Sequence, residues 1–199
     1  MSLWLGATRA LLLLLTLGSC AQAAPTGDAV PLLPGYGKPP APQWSGFLDA
    51  SAAEPGTMLH YWFAEAEVSG AESLPVVLWL NGGPGSSSII GMLQEHGPLL
   101  INATGGLMRN PYAWTKQANL LILESPAGVG YSYCAPMKAG SACNNTDVTT
   151  ARAARAAVQD FFKSKFPELR GNGLYITGES YAGVYIPTLT AELLEHAPE

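Results

Sequence analysis

Residues 174–183 read Leu-Tyr-Ile-Thr-Gly-Glu-Ser-Tyr-Ala-Gly (LYITGESYAG), and this stretch decides the fold. Leu174 to Thr177 is a short apolar run bounded by glycine, as expected of a strand buried on both faces. Gly178-Glu179-Ser180-Tyr181-Ala182-Gly183 follows it and opens a helix that runs toward the chain end. A serine at a tight strand-to-helix turn is the context of a nucleophile elbow, which lifts the hydroxyl above the sheet edge. Small flanking residues are needed because backbones approach closely there. Ser180 is therefore the candidate nucleophile. The usual second glycine is displaced by one position, with Ala182 in its place and Gly183 next. A serine that merely caps a helix after a strand is the alternative these six residues leave open. Pro187 lies inside the expected helix and should bend or interrupt it.

Working outward, Pro75 to Leu80 (PVVLWL) and Asn119 to Leu123 (NLLIL) are further continuous apolar runs of strand length. Trp44 to Asp49 and Met58 to Ala64 predict a hairpin across the Glu54-Pro55-Gly56 turn. Between the last two buried runs, Thr149 to Phe166 carries apolar residues at helical spacing, with Asp147 as its candidate cap. Strands alternating with helices predict an α/β fold with a mostly parallel sheet. The chain reads as ending soon after the nucleophile helix, with a sheet edge left open.

Directly after Leu80 comes Asn81-Gly82-Gly83-Pro84-Gly85-Ser86-Ser87-Ser88. A glycine-rich loop at that point can aim amides at an anion. An α/β-hydrolase oxyanion hole takes one amide from such a loop and one from the residue after the nucleophile. Gly83 and Tyr181 are the candidates. A phosphate loop would end in Gly-Lys-Ser/Thr, which is missing here, and a plain structural turn is the remaining alternative.

The chain has 199 residues and a formal net charge of −5. That sign argues against nucleic acid and against a polybasic membrane-surface protein. Hydrophobic residues make up 48%, which excludes an intrinsically disordered chain. Residues 1–23 read as a secretory signal peptide: Arg9, the apolar run Ala10 to Leu17, then Ala21-Gln22-Ala23 as the cleavage pattern. The apolar run is too short for a membrane anchor. Asn102-Ala103-Thr104 and Asn144-Asn145-Thr146 are glycosylation sequons, fitting a secretory route to the lysosome, a vacuole or the outside. Without the leader, Cys134 and Cys143 remain, an even number that can close a short loop; two unpaired thiols are the alternative. No Cys/His cluster has metal-ligand spacing, so neither a metal nor a cofactor is expected.

Asn81–Ser88, Glu124–Ser132 and Gly178–Gly183 together resemble the serine carboxypeptidases, and the likeness extends to Leu33-Pro34-Gly35, Leu59–Phe63, Glu95–Pro98 and Tyr185–Leu189. The resemblance implies that residues 24–199 are the N-terminal part of an α/β-hydrolase domain that removes C-terminal residues from peptides through an acyl-enzyme on Ser180. It assigns Gly83 and Tyr181 to the oxyanion hole. It assigns Trp79, Asn81, Gly82 and Glu179, with Glu95 beside them, to the substrate's free carboxylate. Bringing that carboxylate near Glu179 and Glu95 is repulsive unless a proton is shared, so Glu179 should titrate high and activity should be best in acid. The partners implied are peptides, a second copy, or lysosomal partner enzymes. In this fold the triad order is Ser, Asp, His. No aspartate follows Ser180, and His196 sits at the far end of the following helix. Without a base the serine is a weak nucleophile. A non-catalytic peptide- or partner-binding product, and an acyltransferase or esterase on the same scaffold, therefore stand as alternatives.

Overall fold

The structure is a computed structural model that describes residues 24–196. The expected signal peptide, residues 1–23, lies outside the described residues.

Five strands form the central sheet: β1 (Gln43–Asp49), β2 (Met58–Ala64), β3 (Val76–Leu80), β6 (Asn119–Leu123) and β7 (Leu174–Gly178). They lie in the order β1-β2-β6-β3-β7. β1 and β2 form the expected hairpin, with Gln43 opposite Ala64 and Asp49 opposite Met58. β2 runs antiparallel to β6, whereas β3 is parallel to both β6 and β7. The sheet is thus mixed rather than mostly parallel. Apolar runs identify buried strands but carry no information on direction. A separate hairpin, β4 (Leu99–Ile101) with β5 (Leu107–Arg109), was not anticipated. Its three-residue strands are too short to show a period.

Alternation along the strands divides the core. Leu59, Tyr61, Phe63, Val76, Leu78, Leu80, Leu121 and Leu123 face one side. Ala64, Trp79, Leu120 and Ile122 face the other, where Met92 of the short helix α1 (Ile89–Gln94) covers them. The first side is covered by α2 (Asp147–Asp160) and α3 (Ala182–Glu195). α2 presents Ala153, Ala154, Ala156 and Ala157, whose small side chains let it approach closely. Leu120 to Leu123 have no exposed surface, as expected of a strand covered on both faces.

β7 departs from expectation. Tyr175 is 60% exposed and its neighbours are only half-buried. Among the described residues only β3 pairs with it, so it is an edge strand and lacks the burial of a central one.

The cap of α2 is Thr146, not Asp147. The Thr146 hydroxyl accepts from the Thr149 N–H, and the Thr149 hydroxyl accepts from the Thr146 N–H, a reciprocal capping box. The helix also ends earlier than its periodicity suggested. After Asp160 the backbone widens into a π turn over Phe161–Lys165, and the Phe166 N–H bonds to the Phe161 carbonyl. Five residues apart on an α-helix, these two phenylalanines would diverge. The wide turn sets their rings 4.7 Å apart, with Phe166 4.6 Å from Phe63. Pro187 does not interrupt α3. Thr188 and Thr190 donate to the Val184 and Ile186 carbonyls.

Candidate active site

β7 ends at Gly178 and α3 begins at Ala182, leaving three residues to reverse direction. Ser180 takes φ +54°, and it is the one non-glycine residue with positive φ among the described residues. Such a conformation costs on the order of 1 kcal/mol and is kept when the surroundings over-determine it. Here the surroundings are backbone. A Cβ on Gly178 would lie 2.2 Å from the Leu80 carbonyl oxygen, and one on Gly82 would lie 2.3 Å from the Tyr181 nitrogen. Only glycine lets the end of β3 lie directly against the elbow. The Gly82–Gly83 segment and the Tyr181 amide, the two expected oxyanion donors, are therefore packed together at the ends of adjacent parallel strands.

Side chains lock this arrangement. Tyr185, one turn into α3, accepts a hydrogen bond from the Gly85 N–H through its hydroxyl at 3.3 Å. The Tyr181 hydroxyl donates to Asp147 Oδ1 at 3.1 Å, at the start of α2. Ser88 Oγ accepts from the Asn81 N–H at 3.0 Å. The sequence singled out Tyr181 for its backbone amide alone; the side-chain contacts of Tyr181, Tyr185 and Ser88 were not read from it. The one available signal was that Tyr181 and Tyr185 stand one helical turn apart.

Asn81 is the centre of the polar group. It is buried, with 1% exposure. Its Nδ2 donates to Glu179 Oε1 at 2.8 Å. Its Oδ1 accepts from Trp79 Nε1 at 2.6 Å and from the Gly91 N–H at 3.3 Å. These contacts fix the amide orientation: the oxygen faces the donors of Trp79 and Gly91, and the nitrogen faces Glu179. Glu95 follows α1, and its carboxyl is held above the ordinary glutamate value. Partial burial is the main cause, and the nearby Glu179 charge adds to it, against a lowering hydrogen bond from Asn81. The carboxyl held high is Glu95, the residue that the resemblance placed beside Glu179. The carboxyl group of an incoming ligand would meet a raised acid and a fixed amide at this point.

Behind the site, His96 lies between two indoles, edge-on to Trp79 and stacked on Trp114. Its ring centroid lies 4.2 Å from Trp79 and 4.3 Å from Trp114, the latter nearly parallel. Both ring nitrogens are buried without a hydrogen-bond partner. Burial lowers its pKa to about 4. It is a neutral packing residue. His196 is held at the far end of α3, with Nδ1 3.0 Å from the Glu192 carbonyl. Among the described residues, no side chain hydrogen-bonds Ser180 Oγ.

Cys134 and Cys143 are joined in a disulfide, with Cα atoms 5.9 Å apart. Cys143, with Pro126, Val129 and Met137, borders a cavity of about 550 Å³ that reaches Gly85. Asn102 occupies the β4–β5 turn and Asn144 is exposed just before α2. Among the described residues no cluster of metal-ligating side chains occurs, and no helix is long and apolar enough to cross a membrane.

Residues 34–199 match the family model for serine carboxypeptidase. The chain is 48% identical over 187 residues to the lysosomal protective protein of Mus musculus, covering 93% of this chain and 38% of that protein. It is 45% identical over 174 residues to serine carboxypeptidase ctsa-4.1 of Caenorhabditis elegans, covering 86% and 35% respectively. Among solved structures it resembles Kex1(delta)p, a prohormone-processing carboxypeptidase from Saccharomyces cerevisiae. There the TM-score is 0.69 at 28% identity, over 78% of this chain and 34% of that one. The chain therefore spans under two fifths of the length of these relatives. With a family match across the elbow, the glycine-rich loop and the strands that carry them, the chain belongs to the serine carboxypeptidase family.

Proposed function

We propose that the chain carries the nucleophile, the oxyanion donors and the carboxylate clamp of a serine-type carboxypeptidase acting on peptides with a free C-terminus. The observation that carries this reading is Ser180, held at φ +54° with the Gly82 backbone against the Tyr181 amide. Attack by Ser180 Oγ on the scissile carbonyl would place the developing oxyanion toward the Gly83 and Tyr181 N–H groups. The leaving residue's carboxylate would lie by Asn81 and Glu179, over Trp79 and beside Gly82, with the raised Glu95 acid able to share a proton with it. Such sharing works while the carboxyl pair retains its proton, so the reading requires an acid optimum. Entry to the secretory pathway and delivery to the lysosome fit the leader-like residues 1–23, the two sequons, and the likeness to a lysosomal protein.

A second reading is favoured by one observation: no base touches Ser180 among the described residues. In that reading the chain binds the peptide carboxylate without cleaving it. Two measurements at pH 5 separate the readings. The first is fluorophosphonate labelling mapped to the peptide containing Ser180, with Ser180→Ala as control. The second is equilibrium binding of one N-blocked dipeptide in free-acid and C-terminal amide forms. Labelling of Ser180 with acid-selective binding supports the enzyme. Acid-selective binding without labelling supports the binder. Equal binding of acid and amide overturns the carboxylate clamp altogether.

A further inference from the structure

On the face of the sheet opposite α2 and α3, side chains from β1, β2 and the segment just after β6 stand in line. His60 on β2 places Nε2 2.9 Å from Ser45 Oγ on β1. It places Nδ1 3.1 Å from Glu124 Oε2, just beyond β6. Glu124 has no exposed surface and His60 only 5%. The carboxylate is held from the other side as well, by the Tyr131 N–H at 2.9 Å and by the Ser87 hydroxyl. Burial would raise the Glu124 carboxyl, but hydrogen bonds from His60, Ser87 and Tyr131 outweigh it and hold it below its ordinary range. An ionised Glu124 accepts from Nδ1–H. That fixes the tautomer by the hydrogen-bond network and leaves the Nε2 lone pair toward the Ser45 hydroxyl. This is the nucleophile–base–orienter order recognised by geometry rather than by chain position.

Ser45 and His60 are also open to a ligand. They line a cavity of about 340 Å³ with Gly46, Phe47, Trp62, Ile89 and Tyr131. The Tyr131 ring stands edge-on to His60 at 5.1 Å. No charged side chain lines it, so it suits a small uncharged ligand with an aromatic or branched acyl group.

We propose that Ser45, His60 and Glu124 form a second, independent hydrolytic site that takes small uncharged aryl esters. Ser45 Oγ bonds to the ester carbonyl carbon while its proton passes to His60 Nε2. The C–O bond to the aryl alcohol breaks, and the alcohol leaves with that proton. Water, deprotonated by the same nitrogen, then releases the acid and restores Ser45. The two serines differ in what they hold: Ser180 has the strained elbow and the amides, whereas Ser45 has the base and its orienting carboxylate.

The test uses the full chain carrying Ser180→Ala, labelled with a small fluorophosphonate at pH 7.5 and mapped by mass spectrometry. The expected result is labelling on Ser45, lost in Ser45→Ala and slowed at least tenfold in His60→Asn. p-Nitrophenyl acetate should give a burst with the same dependence. A folded chain with no label on Ser45 overturns the proposal, and so does labelling that His60→Asn leaves unchanged. Should His60→Asn fail to fold, the pH profile of Ser45 labelling decides, and a flat profile overturns it. Labelling of Ser180 alone in the unsubstituted chain would sink this proposal and leave the carboxypeptidase reading intact. Labelling of Ser45 alone would do the reverse.

Discussion

Replacing His96 by leucine should make the fold more resistant to acid. In the folded chain the imidazole is neutral, packed between Trp79 and Trp114, with no partner on either nitrogen. Its pKa falls from 6.5 to about 4 because burial penalises the charged form. In the unfolded chain the ring accepts a proton near 6.5, so the unfolded state binds more protons throughout the interval between those values. Stability from this residue is fully present above pH 6.5, declines as pH falls through the window, and stops changing below about 4. A shift of about 2.5 units at 1.36 kcal/mol each sets a ceiling of about 3 kcal/mol, of which roughly 2 kcal/mol is already lost by pH 5. Leucine takes no proton. The assay is urea unfolding followed by tryptophan fluorescence at pH 7 and pH 4.5, for both chains. Each chain serves as its own reference, so any packing loss in His96→Leu cancels. The unsubstituted chain should lose about 2.5 kcal/mol more than the variant between the two pH values. Equal losses would refute the reasoning and would mean that the imidazole is hydrated or hydrogen-bonded in solution.

Gly82→Ala should destabilise the chain by roughly 1–3 kcal/mol and abolish binding of a C-terminal carboxylate, because the new Cβ meets the Tyr181 nitrogen at 2.3 Å; urea titration and peptide binding check the two parts. Ser180→Gly should raise stability by about 0.5–1 kcal/mol by releasing the positive φ, whereas Ser180→Ala should not, a contrast read from the two melting temperatures. Dipeptide affinity should fall as pH rises through the elevated titration of Glu95, since a second carboxylate is tolerated only while that carboxyl holds its proton; in Glu95→Gln the pH dependence should weaken, as isothermal titration at pH 4.5, 5.5 and 7 would show.

What the sequence disclosed follows from how local each cause is. β3 and β6 are found where continuous apolar runs lie between polar breaks, because burial on both faces leaves a signal within five residues. The elbow is legible for the same reason: strand, tight turn and helix are contiguous, and the close approach at Gly178 is already a constraint on residue type. The direction of β2 against β6 is not legible, since periodicity is blind to polarity. Nor is the choice of Thr146 over Asp147 as cap. Both residue types cap well, and the decision lies in the extended backbone at Thr146, φ −124° and ψ 168°.

The clusters are less accessible still. His96 is packed by residues from β3 and from the loop before β6, and Asn81 meets Glu179 across 98 positions of chain. Ser45, His60 and Glu124 come from β1, β2 and the segment just after β6, which the sheet order brings together. Each of these residues looks ordinary in its own stretch: a serine in an apolar strand, a histidine among aromatics, a glutamate before a proline-containing turn. Their chemistry exists only once the register sets them side by side, because a hydrogen bond depends on a separation that no local pattern encodes. The glycine-rich loop joins the two sites physically. Its Asn81 holds Glu179 of the elbow, and its Ser87 holds Glu124 of the relay. A substitution that displaces this loop should therefore disturb both sites, whereas Ser45→Ala, distant from Asn81 in the sheet order, should leave carboxylate binding at the elbow unchanged.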